Sequence, residues 1–186
     1  MSLSVLDYIK VYNGLEKTLC DDVVKHFKHS PSWEVSTFSS NTGYSANSHE
    51  SVKMQQYWVE TSEPYQEELA NGFRKVVEEY ISTFNKVEPM IFTRFRLNWY
   101  GVGGFMRNHI DSIHHSHGQK YGYPHITALG FLNDEYEGGE FSLCDGEMVL
   151  QPNVGDIVVF PSNFMYPHEV KKVTSGDRFT CMTWIM

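Results

Sequence analysis

His109-Ile110-Asp111 closes the stretch Asn98-Trp-Tyr-Gly-Val-Gly-Gly-Phe-Met-Arg-Asn-His-Ile-Asp111 and carries the residue types best suited to chemistry. In an extended strand residues i and i+2 point to one face, so His109 and Asp111 would present an imidazole and a carboxylate side by side. Two histidines and one carboxylate on one side of a metal leave coordination positions open, the arrangement that holds non-haem Fe(II). The pair lacks one such ligand, and His168, at the start of an expected strand, is the candidate for it. Arg178 lies across the bend of the same expected hairpin, with Trp184 on its strand face by even spacing. A guanidinium is the side chain best shaped to hold a carboxylate through two parallel hydrogen bonds. A metal with open positions beside such a clamp suits a small chelating diacid such as 2-oxoglutarate.

Other residues carry weaker signals. Tyr100 stands open between a contact to that diacid and simple packing. His125 shares a strand face with Thr127 and reads equally as facing the pocket or as a structural histidine. Arg94 and Arg96 are expected to pair with acids such as Asp156 or Glu140. The cluster His114, His115 and His117 fits neither an HExxH helix nor a Cys/His finger and is read as part of a solvated loop.

These side chains need elements to position them. Leu15, Leu19, Val23 and Phe27 recur at i+4 and predict a helix over 15–27, with Asn13 or Gly14 near its cap. Residues 29–51, rich in Ser, Asn and Thr with Pro31 and Gly43, read as a loop, and 52–60 as a strand. The clearest helix spans 63–84, where Tyr65, Leu69, Phe73, Val76, Val77, Tyr80, Ile81 and Phe84 line one face and Ser62 and Pro64 mark the start. From Ile91 to Tyr100 an apolar face alternates with one carrying Arg94, Arg96, Asn98 and Tyr100, and inward-facing polar groups of this kind suggest a lined cavity. Residues 112–124 read as loop, 125–133 as strand, 134–139 as turn, 140–144 as strand and 151–155 as turn. A strand over 156–160 and a last hairpin over 166–186, bent at 174–177, complete the chain. Helices first and many short strands after fit helices packed outside a β-sandwich or barrel.

The chain of 186 residues is 41% hydrophobic, 15% aromatic and 20% charged, which suits one folded domain with a sizeable core. Its net charge of −8, with no basic run, argues against a phosphate-tracking nucleic-acid binder. No run of about 18 apolar residues implies a membrane span, and the N-terminus does not read as a signal peptide. Three widely spaced cysteines make neither a disulfide framework nor a CxxC zinc site, so a cytoplasmic setting is expected, in a bacterium or a virus-infected host cell.

An ordered series of motifs runs through the C-terminal half. It comprises Tyr100-Gly-Val-Gly-Gly-Phe-Met-Arg-Asn-His-Ile-Asp111, Thr127-Ala-Leu-Gly-Phe-Leu-Asn133, Gly138-Gly-Glu-Phe-Ser142 and Pro152-Asn-Val-Gly-Asp-Ile-Val-Val-Phe160. His168-Glu-Val, Val173-Thr-Ser-Gly-Asp-Arg178 and Trp184 complete it. On these motifs the sequence resembles the 2-oxoglutarate/Fe(II) dioxygenases of the prolyl 4-hydroxylase type. The resemblance implies an α+β fold, a double-stranded β-helix (jelly-roll) core with flanking N-terminal helices. Residues 1–88 would supply mainly helical support and a lid loop, and 89–186 the jelly roll, within one oxygenase domain. It implies Fe(II) on His109, Asp111 and His168, and Arg178 on the distal carboxylate of 2-oxoglutarate, helped by Thr127 and Tyr100, with Trp184 as a pocket wall. Many family members carry Lys where this chain has Arg178, and Tyr where it has Phe131, so one hydroxyl is absent. The implied reaction consumes 2-oxoglutarate and O2, releases succinate and CO2, and hydroxylates a peptidyl residue, proline, with ascorbate as an accessory. The segments 31–51 and 112–124 are the expected lids. Two alternatives stand beside this reading: the same chemistry on a free amino acid or small metabolite, and a non-catalytic metal-binding jelly roll. A nucleic-acid demethylase is disfavoured by the charge and the lack of a basic recognition loop.

Overall fold

The alternation seen along Ile91–Tyr100 runs through the whole molecule, because strands buried on both faces present two different sets of side chains. The computed structural model describes residues 4–36, 51–84, 88, 91–112 and 122–186. Among them a short 3-10 turn leads into β1 (Lys10–Asn13), α1 (Lys17–Phe27) and β2 (Glu34–Val35). Next come β3 (Val52–Lys53), β4 (Gln55–Trp58), α2 (Gln66–Thr83), β5 (Arg96–Tyr100) and β6 (Phe105–His109). The remainder is β7 (Ile126–Phe131), β8 (Tyr136–Gly138), β9 (Phe141–Leu143), β10 (Met148–Leu150), β11 (Asp156–Pro161), β12 (His168–Val170), β13 (Val173–Gly176) and β14 (Arg178–Ile185).

A seven-stranded sheet in the order β1-β11-β7-β14-β5-β4-β2 faces a five-stranded sheet in the order β10-β9-β12-β6-β3, with β13 and β8 paired at one end. This is the expected double-stranded β-helix with flanking helices. On the outer face of the larger sheet, Leu97, Ala128, Ile157, Val159, Phe179, Cys181 and Ile185 pack with Leu69, Phe73, Val76 and Val77 of α2 and Cys20, Val23 and Phe27 of α1. The intervening residues of the same strands, among them Tyr100, Leu129, Phe131, Val158, Phe160 and Trp184, pack toward Met106, Phe141, Leu143 and Val170 of the smaller sheet.

Several expectations change. The first helix starts at Lys17, because the Gly14 and Leu15 amides both donate to the Gly155 carbonyl at 3.0 Å and hold the entering chain in a turn. Gly155 sits at φ +87, and a Cβ there would lie 2.1 Å from the Leu15 carbonyl oxygen, so only glycine fits. The second helix begins at Gln66, after Tyr65 takes a left-handed conformation. The single strand expected over 52–60 is two, β3 joining the smaller sheet and β4 the larger. The expected strand from Ile91 is regular only from Arg96, with a lone bridge between Phe92 and Ile185 before it. The expected turn over 134–139 contains β8, paired with β13. The expected last hairpin does not exist: β12 pairs with β6 and β9, whereas β14 pairs with β5 and β7. His168 and Arg178 therefore approach one cavity from opposite sheets, and the sandwich, not a hairpin, brings them together.

Candidate active site

β6 ends at His109 and β12 opens at His168, and the register sets these two residues directly opposite each other. Their rings lie 4.2 Å apart, tilted by 56°. Asp111 follows two residues beyond the strand end, and its carboxylate oxygens lie 3.7 Å from Nε2 of both histidines. One ligand atom from each residue falls within a 4.8 Å cluster, the one such grouping among the described residues.

The atoms around the cluster fix its chemical state. Nδ1 of His109 lies 2.9 Å from the Arg107 carbonyl, and Nδ1 of His168 lies 3.0 Å from the Tyr166 carbonyl. A carbonyl oxygen only accepts, so each Nδ1 carries a proton and Nε2 is the nitrogen each ring has to offer a metal. Burial first, and then the neighbouring His168, pull the His109 imidazolium down to about 4. Burial would raise the Asp111 carboxyl, but the two imidazoles, the Thr127 hydrogen bond and the nearby Trp184 indole outweigh it and hold the group at about 2. Near neutral pH His109 is uncharged and Asp111 ionised, as a metal requires of its ligands. Thr127 donates to Asp111 Oδ2 at 2.6 Å and meets the Ser162 hydroxyl at 2.8 Å. Expected beside the diacid, Thr127 is thus engaged with the carboxylate of the cluster. Ser162, its support, carried no signal in the sequence.

The cluster opens on a narrow cavity, lined on its far side by Arg178, Tyr100, Asn98 and Thr180. Arg178 is 0% exposed, and its Nε, Nη1 and Nη2 have no hydrogen-bond partner among the described residues. Aromatic rings surround it, Tyr100 and Phe131 at 5.2 Å and Tyr136 at 5.9 Å. Gly139 leaves room for its stem, since a Cβ there would lie 2.9 Å from Arg178 Cδ. A buried cation without a partner is costly, so this guanidinium marks a place for an anion. Tyr100 is buried on the same cavity, and burial raises its phenol although the Arg178 and Arg96 cations pull the other way. Thr180, two residues from Arg178, was legible by even spacing and was missed.

Trp184 is buried on the face shared with Arg178 and Met182, 6.2 Å from the Trp58 ring. Arg96 and Arg94 do not meet the expected acids. Arg94 pairs with Glu60, Arg96 lies beside Trp58 and Trp184, and Asp156 accepts from Asn153. His125 is exposed. His114, His115 and His117, and most of both expected lids, lie outside the described residues.

Two imidazoles facing each other through Nε2, an ionised carboxylate and a guanidinium without a partner among the described residues, on one cavity, fit a divalent metal and a chelating diacid. The comparisons agree. Residues 95–186 match the family model of the 2OG-Fe(II) oxygenase superfamily. A PKHD-type hydroxylase of Stenotrophomonas maltophilia is 30% identical over 128 residues, covering 66% of this chain and 56% of that protein. The chain spans about half the length of the PKHD-type hydroxylases it matches. A Pseudomonas putida prolyl-4-hydroxylase superposes with a TM-score of 0.74 at 17% identity, over 97% of this chain and 95% of that one. A Trichoplax adhaerens prolyl hydroxylase, solved with a peptide fragment of hypoxia inducible factor, gives 0.73 at 19% identity over 96% and 83%. The chain belongs to the 2-oxoglutarate/Fe(II) oxygenase superfamily, and its fold is that of the prolyl hydroxylases. The family implies Fe(II), 2-oxoglutarate and O2.

Proposed function

We propose that the chain is a 2-oxoglutarate- and Fe(II)-dependent hydroxylase of peptidyl substrates, with proline as the hydroxylated residue. The observation that carries this reading is the fully buried, unpartnered guanidinium of Arg178 on the cavity of the His109, Asp111 and His168 cluster. Fe(II) would be held by His109 Nε2, the Asp111 carboxylate and His168 Nε2, and Arg178 would take the distal carboxylate of 2-oxoglutarate beside Tyr100. Bound there, the metal and 2-oxoglutarate supply with O2 the oxidant for C–H hydroxylation, releasing succinate and CO2. The chain's own groups orient and protect. Thr127 holds the Asp111 carboxylate, and the Arg107 and Tyr166 carbonyls hold the imidazoles. Phe141 and Phe160, 5.5 and 5.0 Å from the His168 ring, exclude water beside it.

The peptide part is supported by the prolyl hydroxylase fold, one of whose members was solved with a peptide, and by Phe164 and Met165. These are 77% and 46% exposed in the segment entering His168, an apolar surface an extended chain would cover. Residues 1–186 are read as one oxygenase domain, with ascorbate as the accessory reductant. The free, buried cysteines support a reducing, cytoplasmic setting. Among the described residues no helix is long and apolar enough to cross a membrane.

The test adds Fe(II) and 2-oxoglutarate to the anaerobic protein and reads the visible metal-to-ligand charge-transfer band. A band that Asp111→Ala abolishes and Arg178→Ala weakens is expected, followed by O2-dependent succinate release with proline-containing peptides. A folded protein without the band refutes the oxygenase reading. A band without peptide-stimulated succinate refutes the peptidyl substrate alone.

A further inference from the structure

Arg96 enters β5 on the cavity side, and its guanidinium lies beside a pair of touching indoles, 5.0 Å from the Trp184 ring centroid and 5.8 Å from that of Trp58, the two rings being 6.2 Å apart. The guanidinium of Arg94 lies 5.6 Å from the same Trp58 ring. Two cations, Arg94 and Arg96, thus share the Trp58 ring, and Arg96 also meets Trp184. The outer arginine is satisfied by Glu60. The inner one is not. Arg96 is 8% exposed, its Nη2 meets only the thioether of Met182 at 2.8 Å, and its Nε has no partner among the described residues. An indole beside a guanidinium attracts the cation but accepts none of the hydrogen bonds that the donors on its edge can make.

The register separates this cation from Arg178. β14 pairs Arg178 with Tyr100 and Met182 with Arg96, so Arg96 stands four residues, about 13 Å, along the sheet from the proposed 2-oxoglutarate clamp. It lies toward the end where Trp184 pairs with Thr127 and Thr127 holds Asp111. Charge counting then points outward. A divalent metal, the Asp111 carboxylate, two guanidiniums and a dianionic 2-oxoglutarate leave one positive charge over, and Arg96 is the cation with no anion beside it once Asp111 serves the metal. A buried charge left in this condition is costly, and the remaining participant is the substrate.

We propose that Arg96 is a second anion-binding group of the cavity, which takes a carboxylate of the substrate while Arg178 takes 2-oxoglutarate. The proposal rests on the oxygenase reading of the site and narrows its substrate class. Two sources supply such a group: an acidic side chain beside the hydroxylated proline, or the main-chain carboxylate of a terminal or free residue.

The experiment uses the anaerobic protein loaded with Fe(II) and 2-oxoglutarate, so that nothing turns over. Tryptophan fluorescence is the readout, because Trp58 and Trp184 flank Arg96. N-acetyl-proline is titrated against N-acetyl-prolinamide, and acetyl-aspartyl-prolinamide against acetyl-asparaginyl-prolinamide. The acid of one pair should bind about tenfold or more tighter than its amide, as a charge-assisted hydrogen bond would give, and that pair names the source. Arg96→Gln should shrink the preference to within about twofold, Arg96→Lys should restore part of it, and the charge-transfer band should persist in both. Equal binding within both pairs, no binding by any probe, or a preference that survives Arg96→Gln overturns the proposal. Loss of 2-oxoglutarate affinity in Arg96→Gln to the extent seen in Arg178→Ala overturns it too, assigning Arg96 to the cosubstrate. A wild-type protein that shows no band before any probe is added fails the oxygenase reading instead.

Discussion

The two faces of the seven-stranded sheet are one residue apart along every strand and opposite in character. On the outer face Phe73 reaches Gly130, where a Cβ would stand 3.0 Å from the ring, and Ala128, Ile157, Val159 and Cys181 close around the helices without exposure. On the inner face Arg96, Asn98 and Arg178 are buried too and yet keep polar atoms without partners among the described residues. One side is complete as the chain folds; the other is completed by what it binds. Polar groups left unsatisfied by folding alone are the mark of a site in an otherwise well-packed protein.

That contrast can be broken at either face. The largest effect is expected from Asp111→Ala, which should abolish the charge-transfer band and turnover while circular dichroism and the melting temperature show a folded protein. Unfolding in this variant would mean that the inner face supports the fold as the outer one does. Phe73→Ala should lower stability by about 3–5 kcal/mol in urea melts and leave 2-oxoglutarate affinity of the folded protein within about twofold. Arg178→Met should raise the 2-oxoglutarate requirement at least about tenfold, yet leave the metal-free protein as stable as wild type or more so, by up to about 4 kcal/mol. A large loss of stability there would show that the guanidinium is satisfied without a ligand.

The smallest effect concerns pH. Burial first, and then Asp21, raise the Cys20 thiol on the outer side from 9.0 to about 11. Because the folded-state value is raised, this contribution to stability is full below about pH 9 and is lost as pH climbs toward 11. Urea melts at pH 8 to 11 should fall less steeply in Cys20→Ala than in wild type. Equal slopes would show that the thiol ionises freely in the folded chain.

The C-terminal strands were legible because chemistry and packing alternate there with period two, so Arg96, Asn98 and Tyr100 declared a lined cavity before any fold was known. The second helix was legible through an unbroken stripe from Leu69 to Tyr80. What escaped has physical causes. β1 and β10 are short, and their residues alternate between half-buried and exposed, so that only Tyr12, Met148 and Leu150 touch a core. Tyr136–Gly138 carries turn-forming residues and becomes a strand only because β13 is there to pair with it. His168 and Arg178 looked like two arms of a hairpin because sequence distance cannot tell a hairpin from a crossing between sheets. Charge logic expects an acid beside Arg96, whereas two indoles separated in sequence by 126 positions lie against it. Thr127 was placed in the right cavity, and only its partner, Asp111, was out of reach of spacing rules.

The two imidazoles of the cluster each lean on a carbonyl just two residues earlier in the chain. The choice of ring nitrogen is therefore made within three consecutive residues, by backbone that needs no distant partner. Each histidine can be oriented while its own segment is being laid down, before β6 and β12 have found each other. Final assembly then has only to join two prepared halves, and a chain stripped of its ligands and refolded can recover the same pair of nitrogens each time.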